Sequence, residues 1–130
     1  MSFYLLWARD VNTILIVEDD ARQRASFVAA LAEEYLVTAV SHIHDAISFL
    51  EQHKADAVVF EMTWANGEGI AMLSHAAGMR PRPKVVVLTT LDQPGKAVKA
   101  IKLGVNEYLM KPCAPEALRL AVHRALADRL

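Results

Sequence analysis

Apolar runs of strand length recur along the chain, and four of them stop at a charged or hydroxyl residue. Thr13-Ile14-Leu15-Ile16-Val17 ends at Glu18-Asp19-Asp20, and Val85-Val86-Val87-Leu88 ends at Thr89-Thr90. The run Ala57–Phe60 ends at Glu61, and Tyr108-Leu109-Met110 ends at Lys111-Pro112. Leu36–Val40 is a fifth run. Continuous β-branched and aliphatic runs of this kind read as strands buried on both faces. Between them the period becomes that of a helix. Phe27, Val28, Leu31 and Ala32 form one apolar stripe, with Arg22, Arg24 and Glu33 turned outward. Ala46, Ile47 and Leu50 form a second, Ile70, Met72 and Leu73 a third, and Ala97, Ala100 and Ile101 a fourth. Leu118, Ala121, Val122, Ala125 and Leu126 form the fifth, with Arg119, His123 and Arg124 outside. The helix boundaries carry their own signals. Asp20, with Gln23 three residues on, caps the first helix, and Ser41 caps the second. Gly78 reads as the residue just past the third. Pro81-Arg82-Pro83 is a stiff connector. Asp92-Gln93-Pro94 reads as a helix start with Pro at the first position, Gly104 ends that helix, and Pro115 opens the last.

Five strands alternating with five helices predict an α/β fold with a parallel sheet covered on both faces. Right-handed crossovers leave few topologies. The flavodoxin-like (βα)5 doubly wound sheet, strand order 2-1-3-4-5, fits best and puts its ligand crevice at the carboxyl ends of strands 1 and 3. Glu61 alone reads equally well as the first solvated residue after a strand. In this topology, however, Glu18, Asp19, Glu61, Thr89 and Lys111 reach one edge from four separate strand ends. Carboxylates grouped with a backbone carbonyl suit Mg²⁺. A strand-end carboxylate beside such an ion can accept a phosphoryl group. A hydroxyl and an ammonium there can bind phosphoryl oxygens.

Composition narrows the setting. A chain of 130 residues, 54% hydrophobic, is long enough for one domain with a substantial core. Its formal net charge of −1 leaves no electrostatic footprint for nucleic acid or an anionic membrane surface. The single cysteine, Cys113, excludes an internal disulfide framework and a Cys-based metal cluster. It suits a reducing compartment, and a cytoplasmic location is expected. The apolar Phe3-Tyr4-Leu5-Leu6-Trp7 is too short for a membrane span and lacks a basic n-region and a cleavage site. Residues 1–11 are expected to be an N-terminal extension and residues 12–130 the domain.

From Asn12 to Leu130 the chain resembles a response-regulator receiver domain of two-component signalling. The resemblance rests on Ile14-Leu-Ile-Val-Glu18-Asp19-Asp20, Asp56-Ala-Val-Val-Phe-Glu61, Gly69, Val85-Val-Val-Leu-Thr89 and Gly104-Val-Asn-Glu-Tyr108-Leu-Met-Lys111-Pro112, in order. It implies that Glu18 and Asp19 match the acidic Mg²⁺-binding pair and that the carbonyl of Thr63 completes the protein ligands. It implies that Thr89 is the switch hydroxyl, Tyr108 the switch aromatic and Lys111 the phosphate-binding lysine. At the centre the chain departs from the pattern: the phospho-acceptor position holds Glu61 instead of Asp. Ala65 stands where a Pro is usual, Trp64 is bulky for this loop, and Ala114 lacks a capping side chain.

These departures set the functional expectations. The first is an atypical receiver, a non-enzymatic module that relays signals through protein contacts without phosphorylation. The alternative is a conventional response regulator using Glu61 as acceptor. A Mg²⁺-dependent phosphohydrolase ranks last, because Thr63 stands where its second carboxylate belongs and no insertion is long enough for a cap. Weak or no Mg²⁺ binding through Glu18, Asp19, Glu61 and Thr63 is expected, since Glu61 crowds an ion that demands near-octahedral geometry. No other cofactor is expected. Glu61 is expected to pair directly with Lys111, as a partial and permanent mimic of a phosphate, with Tyr108 not firmly locked inward. Partners are a histidine kinase, an output domain or an effector, through the face of helix 4, strand 5 and helix 5 that the resemblance implies, or a second copy of the chain. Direct nucleic-acid or membrane binding is not expected. His42, His44 and His53 read as solvated polar residues and Cys113 as a small buried apolar one. Lys96, Lys99 and Lys102 read as a solvated face.

Overall fold

The computed structural model describes residues 11–62, 67–90 and 94–128. Five strands and five helices alternate: β1 (Thr13–Val17), α1 (Ala21–Leu31), β2 (Leu36–Val40), α2 (Ile43–Gln52), β3 (Ala57–Glu61), α3 (Glu68–Ala77), β4 (Lys84–Thr89), α4 (Pro94–Lys102), β5 (Glu107–Met110) and α5 (Pro115–Ala127). All neighbouring strands pair in parallel, in the order β2-β1-β3-β4-β5. The fold class and strand order agree with the sequence expectation. β3 runs one residue past its apolar stretch, into Glu61, β4 gains Lys84 and Thr89 at its two ends, and β5 begins one residue earlier, at Glu107, because ladder hydrogen bonds continue into the flanking polar residues. Met62 N–H, for example, still donates to the Leu88 carbonyl at 2.8 Å.

The two-residue period of each strand divides the core. Ile14, Ile16, Ala57, Val59, Val86 and Leu88 face Phe27 and Leu31 of α1 and Leu118, Ala121, Val122 and Ala125 of α5. Leu15, Val17, Val58, Phe60, Val85 and Val87 face Ala46 and Leu50 of α2, Met72, Leu73 and Ala76 of α3, and Ala100 of α4. Two helices therefore cover one face and three the other. Both faces of the central strands are dry, which is why β1, β3 and β4 read as unbroken apolar runs.

Register then aligns the polar strand ends. Val17 pairs with Phe60 and with Val40, Phe60 with Val87, Glu61 with Leu88, and Thr89 with Met110. Glu18, Glu61, Thr89 and Lys111 thereby reach the same edge of the sheet. Asp20 caps α1, its Oδ1 accepting from Gln23 N–H at 2.9 Å.

Several local expectations are corrected. His42, not Ser41, is the N-cap of α2, and it makes no side-chain cap hydrogen bond. The turn into α2 falls one residue later than the sequence implied, so Ser41 lies outside it. Gly78 caps α3 at φ −84°, a right-handed conformation, because its N–H closes the end on Ser74 and His75 carbonyls at 3.3 and 3.2 Å. Gly104, by contrast, has φ +97°, a region that L side chains rarely adopt. Ile101 is exposed rather than inward. On nine-residue α4 it is Ala100 that meets the sheet, and Val105 and Leu103 fill the interior beyond it. The side chains of Lys96 and Ala97, and residues Asp92 and Gln93, lie outside the described residues, as does the extension 1–10.

Candidate functional site

Glu18 follows the last residue of β1, where its N–H donates to Val40 O at 3.0 Å. Its side chain is 2% exposed. A carboxylate that deep must be paired, and it is: Glu18 Oε1 lies 2.9 Å from Lys111 Nζ, and Oε2 accepts from Asp20 N–H at 3.0 Å. Lys111 is held at the end of β5 by its own N–H, which donates to Thr89 O at 2.7 Å. Its ammonium also binds Oε1 of Glu61, at the end of β3. The ammonium thus joins two strand-end carboxylates. Burial works to lower the Lys111 pKa, but hydrogen bonds and charge from Glu61 and Glu18 outweigh it, and the net shift is upward.

The expected Glu61–Lys111 ion pair is therefore present. It is shared with buried Glu18, a geometry the strand-end pattern did not specify. Asp19 is exposed at the rim. Thr89 is fully buried at the end of β4. Tyr108 is half-buried against the α2–α3–α4 side of the core. Its hydroxyl is enclosed, yet it has no hydrogen-bond partner among the described residues. Among the described residues, packing alone places that ring. Thr63, Trp64 and Ala65 lie outside the described residues.

Arg24 was read as a solvated residue of α1. It is half-buried, and its Nη1 donates to the Glu18 carbonyl at 2.8 Å. Nothing in its polarity distinguishes this position from a solvated one. The only sequence signal is that Arg24 sits on the first turns of a helix capped two residues after Glu18. A cleft of about 620 Å³ opens beside these groups, lined by Asp19, Gln23, Phe27, Thr90, Lys111 and Cys113 among others. Cys113 packs half-buried against the α1–α5 side of the core. Burial raises its thiol pKa, and the Lys111 charge offsets only part of that, so the thiol is no activated nucleophile. His42, His44 and His53 are all exposed, and among the described residues no three His, Cys, Asp or Glu converge as a metal site.

Mg²⁺ is the ion the fold implies, and the described donors do not fit it as they stand. Both Oε1 atoms face the ammonium, and the second Glu18 oxygen is taken by an N–H. An octahedral ion needs those lone pairs aimed at a common centre.

Residues 14–123 match the response regulator receiver domain family. The chain belongs to that family, whose members serve two-component signalling. The alginate biosynthesis transcriptional regulatory protein AlgB of Pseudomonas aeruginosa is 30% identical over 117 residues, covering 89% of this chain and 26% of AlgB. The transcriptional regulatory protein PdtaR of Mycobacterium tuberculosis is 31% identical over 116 residues, covering 88% of this chain and 56% of PdtaR. The chain therefore spans about a quarter of the first relative and about half of the second. A CheY-like receiver domain from Methanospirillum hungatei superposes with a TM-score of 0.81 at 25% identity, over 91% of this chain and 95% of that one. No described helix is long and apolar enough to cross a membrane.

Proposed function

We propose that this domain is an atypical receiver that relays signals through protein contacts without phosphorylation of Glu61. The carrying observation is the bridge from Glu18 through Lys111 to Glu61, made by a side chain one methylene longer than the family's acceptor. Phosphoryl transfer needs the attacking oxygen in line with its donor, and misplacement by about 1 Å costs on the order of 10²-fold. The extra methylene displaces the carboxylate by about 1.5 Å, and Lys111 holds it there. Glu61 keeps one negative charge against Lys111, where a phosphate would bring about −1.5 to −2. The domain is in this reading a partial mimic of the phosphorylated state, with no catalytic step of its own.

The output surface in this reading is α4, β5 and α5, at the sheet edge. Val98 and Ile101 on α4, Met110 on β5 and Leu120 on α5 are large apolar residues left exposed. A histidine kinase, an output domain or a second copy of the chain meets the domain there, in the cytoplasm. The relatives' names point to transcriptional control as the output.

Incubation with Mg²⁺ and acetyl phosphate, read by intact mass, tests the proposal. The wild type is expected to remain unmodified and Glu61→Asp to gain one phosphoryl group. A stoichiometric adduct on the wild type, lost in Glu61→Ala, establishes Glu61 as the acceptor instead.

A further inference from the structure

We infer that Lys111 is the resident cation of the acidic pocket, occupying by charge the role a divalent ion has among carboxylates, and that the domain is consequently indifferent to Mg²⁺. Three oxygens of Glu18 are already committed. Oε1 is on the ammonium at 2.9 Å, Oε2 on Asp20 N–H at 3.0 Å, and the carbonyl on Arg24 Nη1 at 2.8 Å. Glu61 turns Oε1 to the same ammonium. The ammonium and one backbone N–H thus hold three of the carboxylate oxygens of Glu18 and Glu61 that a metal would use, while Asp19 lies exposed at the rim. The Lys111 side chain is 8% exposed, at the wall of the cleft.

Adding Mg²⁺ to this arrangement sets a divalent ion beside a buried positive charge, where little water screens the repulsion. Displacing the ammonium instead requires Lys111 to give up two carboxylates and expose its charge elsewhere. Mg²⁺ also sheds its own water reluctantly and demands six ligands at about 2.0–2.1 Å. The longer acceptor side chain matters here, because it lets one carboxylate reach Lys111 while that ammonium also serves Glu18. The consequence is a pocket whose two inner carboxylates already share a cation, at any metal concentration.

Thermal unfolding of the intact chain in MgCl₂ or MnCl₂ tests this. A ligand that binds only the folded state raises the midpoint progressively as its concentration passes its Kd, and by a large margin at about 100 times Kd. Either ion at about 10 mM therefore reveals a site of Kd about 0.1 mM. The wild-type midpoint is expected not to move. Lys111→Met removes the resident cation and leaves Glu18, Asp19 and Glu61 to a metal. It is expected to gain a Mn²⁺-dependent rise in midpoint that Asp19→Asn abolishes, or to fold only when Mn²⁺ is added. A wild-type midpoint that rises with Mg²⁺ and depends on Asp19 overturns the inference. So does a folded Lys111→Met that binds no better than wild type. If Lys111→Met folds under neither condition, NMR of the wild type with Mn²⁺ decides. Line broadening at residues 17–20 and 111 overturns the inference, and sharp lines there support it. The readout is independent of acyl-phosphate labelling, so this inference and the phosphorylation proposal can fail separately.

Discussion

At the scale of single residues, the site is one ammonium shared by two unequal carboxylates. Glu18 is 2% exposed at its side chain and Glu61 28%. That inequality predicts unequal costs. Removing one partner of a buried pair leaves an uncompensated charge, typically at about 3–5 kcal/mol. Lys111→Met is expected to fall in that range, because Glu18 has no water to turn to. Glu61→Gln leaves Lys111 on Glu18 and loses one partly solvated interaction, about 0.5–1.5 kcal/mol. Urea unfolding at neutral pH, with equal m-values, measures both. Equal losses for the two variants mean that Glu18 is not the residue that depends on Lys111. The strand-end pattern was enough to bring Glu18, Glu61, Thr89 and Lys111 to one edge. It said nothing of Arg24, because a polar residue on a helix looks the same whether it faces solvent or a backbone carbonyl.

At the scale of elements, legibility followed the strength of the burial signal. The central strands are dry on both faces, so their runs were unmistakable and their ends were placed within a residue. α5 buries Leu118, Ala121, Val122 and Ala125 and was read correctly from its stripe. α4 was misread at Ile101, because an aliphatic residue next to the true contact, Ala100, looks equally apolar. Helix ends were the weakest readings, since Ser41 and Gly78 have the right chemistry but the backbone turns elsewhere. The contrast between α4 and α5 is measurable. Ile101 is 64% exposed and Leu118 is fully buried. Ile101→Ser is expected to change stability by no more than about 0.5 kcal/mol. Leu118→Ala is expected to cost about 2–5 kcal/mol through lost transfer energy and the cavity left behind. Chemical denaturation of the two variants in parallel checks this. A large loss at Ile101 means that α4 packs differently in solution.

At the scale of the whole molecule, the perturbed groups outside the arginines mostly lean the same way. Cys113 beyond β5, Tyr35 between α1 and β2, and Lys111 at the site all have raised pKa values. Burial is the main cause for Cys113 and Tyr35, with the Glu34 charge adding to the latter. For Lys111 burial opposes the shift, and its two carboxylates prevail. Each group therefore holds its proton more tightly when folded than when unfolded. Stability falls with pH wherever the folded state binds more protons. The Lys111 contribution is fully present below the unfolded lysine value of about 10.4 and is lost as pH rises through the higher folded value. The thiol and phenol act in the same direction, starting near their unfolded values of about 8.5 and about 10. These groups contribute no slope near neutrality, and the thermal midpoint is expected to fall progressively above about pH 9, in the order thiol, phenol, ammonium. Cys113→Ala should delay the onset, and Tyr35→Phe should shallow the middle of the fall. Melts followed by circular dichroism between about pH 7 and pH 11 provide the measurement. A midpoint that holds steady or climbs to the alkaline limit means that neither the half-buried thiol nor the ammonium bridge between Glu18 and Glu61 keeps its proton in the way the structure requires.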